Sequence, residues 1–186
     1  MSSSKISSTL LLLAALVTIC GSIPGCLIVR VTDHRIRIND DGSGEALLRL
    51  VDIRSDATVD SLVLRDYDRL KTALGKEENV DFEHDGRKIT SKNLYISGDT
   101  LIGEIAYTFP NLTGVYGLHV SHDKLFVVVP EGREILRTNG KVEVLPGNST
   151  RISWDGDAKR LMFQIREKDF PPSSRSLAPY YAGRRR

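Results

Sequence analysis

Cysteine is absent from the 160 residues that follow Cys26, since the chain contains only Cys20 and Cys26. This absence excludes disulfides, thiolate zinc sites and cysteine nucleophiles from everything after Cys26, so a domain there must be stabilised by its apolar core. The chain has 186 residues, of which 40% are hydrophobic and 27% are charged, a composition typical of globular proteins. This length suits one domain with a sizeable core, or at most two small ones.

A strong excess of charge of either sign is also absent, because the formal net charge is only +2. The charges are unevenly placed: Lys5 is the only charged residue before Cys26, and four arginines but no acidic residues follow position 170. The segment between, 26–170, holds 21 basic and 24 acidic residues and is therefore slightly acidic. Such a chain lacks the continuous basic face that would neutralise nucleic-acid phosphates, so we expect no nucleic-acid partner.

Motifs that bind nucleotides or catalyse hydrolysis are missing as well. The sequence has no GxxxxGK[ST] segment and no GxGxxG segment that opens a helix, so nothing predicts a nucleotide cofactor. Gly42-Ser43-Gly44 lacks the residues of a hydrolase nucleophile turn. The surrounding segment, 40–45, lacks the alternating carboxylates of an EF-hand calcium loop. We interpret 39–44 as a glycine-rich turn between two strands, and we predict neither a cofactor nor a metal site.

The apolar run near the N-terminus, Leu10–Ile19, is ten residues long and would span roughly 15 Å as a helix, about half of the hydrocarbon thickness of a bilayer. It follows a polar start that contains Lys5, and it precedes the small-residue stretch Gly21–Gly25. A charged start, a short apolar run and a small-residue cleavage region are the parts of a secretory signal. Residues 1–25 are therefore predicted to be a signal peptide.

The residues that end this signal, Ile23-Pro24-Gly25-Cys26, resemble the lipobox of bacterial lipoproteins. The resemblance implies cleavage before Cys26, a diacylglyceryl group on its sulfur, further acyl chains such as palmitate, and stable anchoring in a membrane of the bacterial cell envelope. Leu27, which is not an aspartate, further implies the outer membrane where the organism has one. Two alternatives stay open: a cleaved signal without a lipid, and an uncleaved anchor over Leu10–Val29.

β-branched and alternating sequences after Cys26 predict a lipid-anchored domain over 26–170 that is rich in strands. One stretch, Thr58–Leu74, has apolar residues three and four apart and therefore predicts a helix. Asp56 or Thr58 is predicted to cap its start. Asp66 and its charged neighbours are predicted to lie mostly on the opposite, polar face. The run Leu125–Val129 is typical of a strand that is buried on both faces. Strands are predicted at Leu27–Ile38, Ala46–Ile53, Lys88–Ile96, Thr100–Phe109, Leu125–Val129, Glu134–Arg137, Lys141–Leu145, Arg151–Trp154 and Arg160–Ile165.

Turn sequences between these strands predict hairpins at Asn39–Gly44, Ser97–Asp99, Asn139-Gly140 and Asp155–Asp157. The predicted fold class is therefore α+β, a mostly antiparallel β meander with one inserted amphipathic helix. From Pro171 to Arg186 the composition shifts to proline, serine and arginine without apolar periodicity. We expect this basic tail, 171–186, to be disordered.

Histidine offers the remaining route to catalysis. His119 and His122 lie three residues apart and Asp123 follows, so an envelope hydrolase that uses these three residues is one hypothesis. The glycines nearby disfavour a helix that would align them, and no third metal ligand can be identified. The favoured hypothesis is therefore a non-enzymatic envelope lipoprotein that binds a protein or lipid partner. His34 and His84 have no sequence neighbour that indicates a catalytic partner.

Cys26, the strand after it and the turn Asp41-Gly42-Ser43-Gly44 resemble the start of the LppM-type domain of mycobacterial lipoproteins and related bacterial lipoproteins. The resemblance covers residues 25–52. It implies an envelope location and, for some proteins of that type, a glycolipid partner. No binding residue carries over to a position of this sequence.

Overall fold

The computed structural model describes residues 26–74, 86–115, 117–121 and 123–183. Strands take up 55% of them and helices 15%, so this part of the chain is mainly β, and its strands pair antiparallel. The short 3₁₀ turn Leu112–Gly114 precedes the fifth strand. In chain order the elements are β1 (Leu27–Ile38), β2 (Gly44–Ser55), α1 (Asp60–Ala73), β3 (Lys88–Ser97), β4 (Thr100–Phe109), β5 (His119–Ser121), β6 (Lys124–Val129), β7 (Arg133–Thr138), β8 (Lys141–Val144), β9 (Thr150–Asp155), β10 (Arg160–Glu167), β11 (Arg175–Ser176) and α2 (Ala178–Gly183).

The strands form two sheets. The larger sheet has the order β3-β4-β2-β1-β10-β7, with β11 paired to the end of β2, and the smaller sheet has the order β5-β6-β9-β8. The expectation of an α+β domain, largely antiparallel with a helix inserted after the second strand, is confirmed in part, because the described chain is mainly β and has a second short helix, α2. The simple meander is wrong, because β2 also pairs with β4, β1 with β10 and β6 with β9.

One face of the larger sheet carries two apolar clusters side by side. Ile105 and Tyr107 are two residues apart in β4 and therefore point to the same face, yet they belong to different clusters. Tyr107 belongs to the sandwich core, which we define as the cluster shared with Leu125 and Trp154 of the smaller sheet. Ile105 belongs to the helix core, the cluster covered by α1. Burial of these apolar surfaces drives the packing of both layers.

Helix α1 packs on the sheet through residues at the spacing that the sequence predicts. Val63, Tyr67 and Leu70 are buried. The predicted side-chain cap is wrong. Val59 occupies the N-cap position, and no side chain forms a capping hydrogen bond at the start of α1. Asp56 is occupied elsewhere, since its carboxylate accepts a hydrogen bond from another segment, described below.

The polar face of α1 also differs from the expectation at one residue. Asp66 is fully buried, and its carboxylate accepts a hydrogen bond from the Ser55 hydroxyl at 2.5 Å. That hydroxyl in turn accepts the backbone N–H of Ala57. A buried carboxylate is tolerated where it is hydrogen-bonded, so this contact ties α1 to the end of β2.

Two of the predicted hairpins are present and two are wrong. Strands β1 and β2 pair across 39–44, and β3 and β4 pair across Ser97–Asp99, where Gly98 has a φ of 63°. Asn139-Gly140 instead connects β7 of the larger sheet to β8 of the smaller sheet. Neither residue has the positive φ that a tight two-residue hairpin turn of this sequence requires. The Asn139 carboxamide holds this corner by accepting the Trp154 indole N–H and the Met162 backbone N–H, both at 2.8 Å.

The segment Asp155–Asp157 is also a connection between sheets, because β9 belongs to the smaller sheet and β10 to the larger. The Gly156 N–H donates to the Asp123 carbonyl oxygen at 2.6 Å. A Cβ at Gly156 would lie 2.8 Å from that oxygen, so close backbone packing requires glycine here. Asp155 and Asp157 therefore lie in a connection between the two sheets and not in a hairpin turn.

Strand β6 is buried on one face and not on both. Leu125 and Val129 are each 1% exposed, whereas Val128 between them is 41% exposed. The smaller sheet therefore packs on the larger one through a single face, and the β-branched run reflects strand propensity as well as burial.

The expectation of a disordered tail is wrong for the described residues 171–183. β11 pairs with the end of β2, and Leu177, which follows it, is completely buried in the helix core. Backbone pairing and burial of a few apolar groups together offset the ordering entropy that the composition alone emphasises. Residues 184–186 lie outside the described residues.

Candidate functional site

The predicted lipidation site, Cys26, lies directly before β1 and is fixed to the end of β2. Its backbone N–H donates to the Asp56 carboxylate at 2.5 Å, and the Asp56 backbone N–H donates to the Cys26 carbonyl oxygen at 3.1 Å. Cys26 is 8% exposed. The reciprocal pair leaves no linker between Cys26 and the folded sheet, so the position of Cys26 is set by the domain itself.

Three strands meet beside Cys26. Leu27 of β1 pairs with Ser55 of β2, and Ser55 pairs with Arg175 of β11. In the next row Arg54 pairs with Ser176. Neighbouring strands lie about 4.8 Å apart, so the backbone of Arg175 lies about 10 Å from that of Leu27. The C-terminal segment therefore returns to the start of the domain.

An arginine pair surrounds Phe170 at this end of the sheet. The guanidinium carbons of Arg30 and Arg54 lie 5.9 and 5.8 Å from the ring centroid of Phe170, within the range of cation–π contacts. Both guanidinium groups also approach the carboxylate of Asp52, at 3.6 and 3.5 Å. The ring and the carboxylate together hold the arginine side chains in place.

The side chain of Arg175 is held by contacts with α1 and α2. Its guanidinium donates to the Asp60 carboxylate at the start of α1, to the Thr58 carbonyl oxygen at 3.4 Å and to the Tyr180 hydroxyl at 3.4 Å. The hydrogen bond to Asp60 raises the pKa of Arg175 above its ordinary value. Arg175 therefore stays charged and oriented.

Arg54 and Arg175 line one cavity. Its volume is about 530 Å³, and it opens to solvent. The Arg54 guanidinium donates to the Ser174 hydroxyl in its wall at 3.2 Å. The side chains that line the cavity are Arg54, Ser174, Arg175, Ser176, Pro179 and Tyr180. Two arginines, two serines and a tyrosine thus lie around one cavity, and the backbone of Arg175 is about 10 Å from the start of β1.

The histidines of the hydrolase hypothesis have other surroundings. His119 is exposed in β5, and its ring stacks on Phe126 with centroids 5.1 Å apart. Asp123 contributes its backbone carbonyl to the Gly156 crossover, and His122 lies outside the described residues, as does His84. Within the described ranges, no group of three or more histidine, cysteine or acidic side chains is placed to hold a metal ion.

His34 lies on β1 next to the sandwich core. Its ring stacks on Phe163 of β10 with centroids 4.4 Å apart. Removal from water lowers the pKa of His34 to about 4, and the charge of the neighbouring Asp33 opposes that change. The imidazole is therefore neutral at physiological pH and packs as an aromatic side chain.

Comparison of the sequence and fold with protein-family models, curated proteins and solved structures found no match. In the part of the chain that the structure describes, no helix is both long enough and apolar enough to cross a membrane.

The sequence does not predict the arginine-lined cavity. Its residues come from β2 and from the segment that composition alone predicts to be disordered. The local signal is Ser174-Arg175-Ser176, a basic residue between two hydroxyls, which is too common to predict a site without the strand pairing that places it opposite Arg54.

Proposed function

We propose that the chain is a non-enzymatic lipoprotein of a bacterial cell envelope, anchored to a membrane through a lipid on Cys26, and that it binds an envelope protein or lipid partner. The sequence support is the order of charge, apolar run and small residues before Cys26. The observation that carries the proposal is that β1 begins at Leu27, with Cys26 itself hydrogen-bonded to Asp56. A lipid attached there would act on a fixed point of the domain.

Such an anchor would orient the domain. We call the end of the larger sheet next to Cys26 the membrane end. β1 extends for 12 residues from Leu27 to Ile38, and at about 3.3 Å per residue Ile38 lies roughly 35 Å from the membrane end. The membrane end carries Arg30, Arg54 and Arg175. Each basic residue close to an anionic surface contributes about 1 kcal/mol of attraction. Asp52, Asp56 and Asp60 at the same end offset that attraction, so the lipid itself would set the orientation.

The domain is proposed to be non-enzymatic because its described histidines contact aromatic rings. His34 stacks on Phe163, and His119 stacks on Phe126. A general base must reach the proton that it removes, and His34 packs against Phe163 inside the sheet. His119 is exposed, and its described contact is with the Phe126 ring. The hydrolase hypothesis therefore receives no support from the described residues.

The proposal is tested by Cys26→Ser in the producing bacterium. The native chain should be found in the membrane fraction, and its mature N-terminus should be Cys26 carrying a diacylglyceryl group by mass spectrometry. Cys26→Ser should be unprocessed or lost from the membrane, whereas the matched control Cys20→Ser should behave like the native chain. A native chain with unmodified Cys26 still joined to Gly25 would refute the anchor.

The partner is tested by cross-linking in membranes. The native chain and the Cys26→Ser chain are cross-linked at equal abundance, and the captured species are compared. We expect at least one species that depends on the anchor, because the lipid concentrates the domain at one surface. Identical capture in both samples would contradict a role that requires anchoring.

A further inference from the structure

The cavity between Arg54 and Arg175 has the chemistry of an anion site, and we propose that it binds a phosphate group, as carried by a phosphate ester. This site goes beyond the anchored lipoprotein proposed above and does not depend on a lipid at Cys26. Its lining residues include two arginines, two serines and a tyrosine, and no acidic residue is among them. The planar N–H fork of a guanidinium group matches the geometry of phosphate oxygens.

Both arginines keep donors for a ligand. Among the described residues, no hydrogen bond uses the Nη2 group of Arg54, whose Nη1 group bonds to Ser174. The Nε of Arg54 is buried and faces the Asp52 carboxylate at 3.5 Å, so it is not one of the donors left for a ligand. Arg175 uses Nη1 for Asp60 and Thr58 and one Nη2 contact for Tyr180. The fork of each guanidinium therefore remains partly open.

The acidic partners orient the arginines without occupying the cavity. Asp52 lies beside Arg30 and Arg54, and Asp60 lies at the start of α1; neither side chain lines the cavity. Side chains that are already oriented lose less conformational entropy when a ligand binds. The serine hydroxyls can donate to further phosphate oxygens, because a hydroxyl rotates to suit its partner.

The size and position of the cavity favour a phosphate ester over a buried metabolite. The cavity is an open depression of about 530 Å³, which is larger than one phosphate group and leaves room for the alcohol part of an ester. The cavity opens to solvent at the end of the sheet that carries Cys26. Two sources share this chemistry: a free phosphate compound, and a phospholipid headgroup at a membrane surface.

The test uses the full chain in detergent and two soluble probes, inorganic phosphate and glycerophosphoglycerol, the headgroup of phosphatidylglycerol. Binding is measured by titration calorimetry for the native chain and for Arg54→Gln, Arg175→Gln and Arg54→Lys. The matched control is Arg160→Gln, an exposed arginine at the other end of the larger sheet. Near-ultraviolet circular dichroism of Trp154 verifies that each variant is folded.

We expect saturable binding of at least one probe that is weakened about tenfold or more by either glutamine substitution. Arg54→Lys should also weaken binding, because a lysine keeps the charge but loses the planar fork. Arg160→Gln should bind like the native chain. Tighter binding of glycerophosphoglycerol would support an ester of the kind found in lipid headgroups, and tighter binding of inorganic phosphate would overturn the proposal of an ester. Absence of binding by the folded native chain, or equal weakening by Arg160→Gln, would overturn the proposal.

Discussion

Mild acid should destabilise the protein through His34. The imidazole stacks on Phe163 and pairs across the sheet with Leu48, and burial lowers its pKa to about 4. In the unfolded chain the pKa returns to 6.5. Between these two values the unfolded chain binds a proton that the folded chain does not bind, so the free energy of unfolding rises with pH across this window and falls as the pH is lowered through it.

The size of the effect follows from the pKa difference. A change from 6.5 to about 4 limits the loss to about 3 kcal/mol once both states have titrated, of which about 2 kcal/mol is lost by pH 5. Part of the His34 side chain remains exposed. Because water screens the buried charge, we expect a smaller loss of roughly 1–2 kcal/mol at pH 5.

The assay compares the native chain with His34→Phe, a variant that retains an aromatic ring for Phe163 but cannot bind a proton. The free energy of unfolding is measured by urea titration at pH 7.5, 6 and 5. The native chain should lose about 1–2 kcal/mol relative to the variant as the pH falls from 7.5 to 5. Carboxylates that titrate in both proteins cancel in this comparison. A stability difference that stays constant across the pH range would refute the reasoning.

Three further substitutions test contacts that hold the fold. Asp66→Ala should lower the free energy of unfolding by about 2–3 kcal/mol, because the buried Ser55 hydroxyl loses its acceptor; additive effects of Asp66→Ala and Ser55→Ala in urea titrations would show that the pair is not coupled. Asn139→Ala should cost about 2–3 kcal/mol, because the Trp154 indole N–H loses its acceptor; an unchanged melting temperature would show that this contact does not hold the corner. Leu177→Ala should cost about 2–4 kcal/mol, since this side chain is fully buried; a native-like urea midpoint would mean that the C-terminal segment is not packed as described.

Strand and helix positions were predictable because each depends on one local period. In β4 every second residue from Leu101 to Phe109 is buried, as the alternation of apolar residues predicts. In α1 the buried positions Val63, Tyr67 and Leu70 follow the helical period. The face that an element buries is therefore encoded within the element itself.

Strand pairing was less predictable because the same turn sequence serves different purposes. Asn139-Gly140 is favoured in hairpins for its positive φ, but here glycine is needed for close packing. A Cβ at Gly140 would lie 2.7 Å from the Trp154 ring and 2.8 Å from Ile152. Only the tertiary contacts of the smaller sheet show that Gly140 serves close packing and not a hairpin turn.

The candidate site escaped prediction because its parts are far apart in the chain. Ser174 and Arg54 are 120 residues apart and are joined by a hydrogen bond. The composition of 171–186 indicated disorder, since it contains few apolar residues. The segment docks on an existing sheet edge through a two-residue strand, the fully buried Leu177 and its neighbours Ala178, Tyr180 and Tyr181, which pack on the helix core. None of these features has a periodicity that a sequence can show.

Ser55 joins the three segments that surround Cys26. Its backbone pairs with Leu27 of β1 on one side and with Arg175 of β11 on the other. Its hydroxyl, which is fully buried, donates to Asp66 of α1. The start of the domain, the C-terminal segment and the helix therefore all make hydrogen-bonded contacts with one residue.

This arrangement has a consequence for a domain anchored at Cys26. Asp56, which holds the Cys26 backbone, is the residue next to Ser55, so a force on the anchor is shared by β1, β2 and, through Ser55, α1 and β11. A lipid on Cys26, as proposed, would therefore have no flexible backbone linker between it and the sheet. The cavity between Arg54 and Arg175 would then lie close to the membrane surface, because the backbone of Arg175 is about 10 Å from the start of β1. The proposed phosphate site would meet lipid headgroups without the entropic cost of ordering a linker.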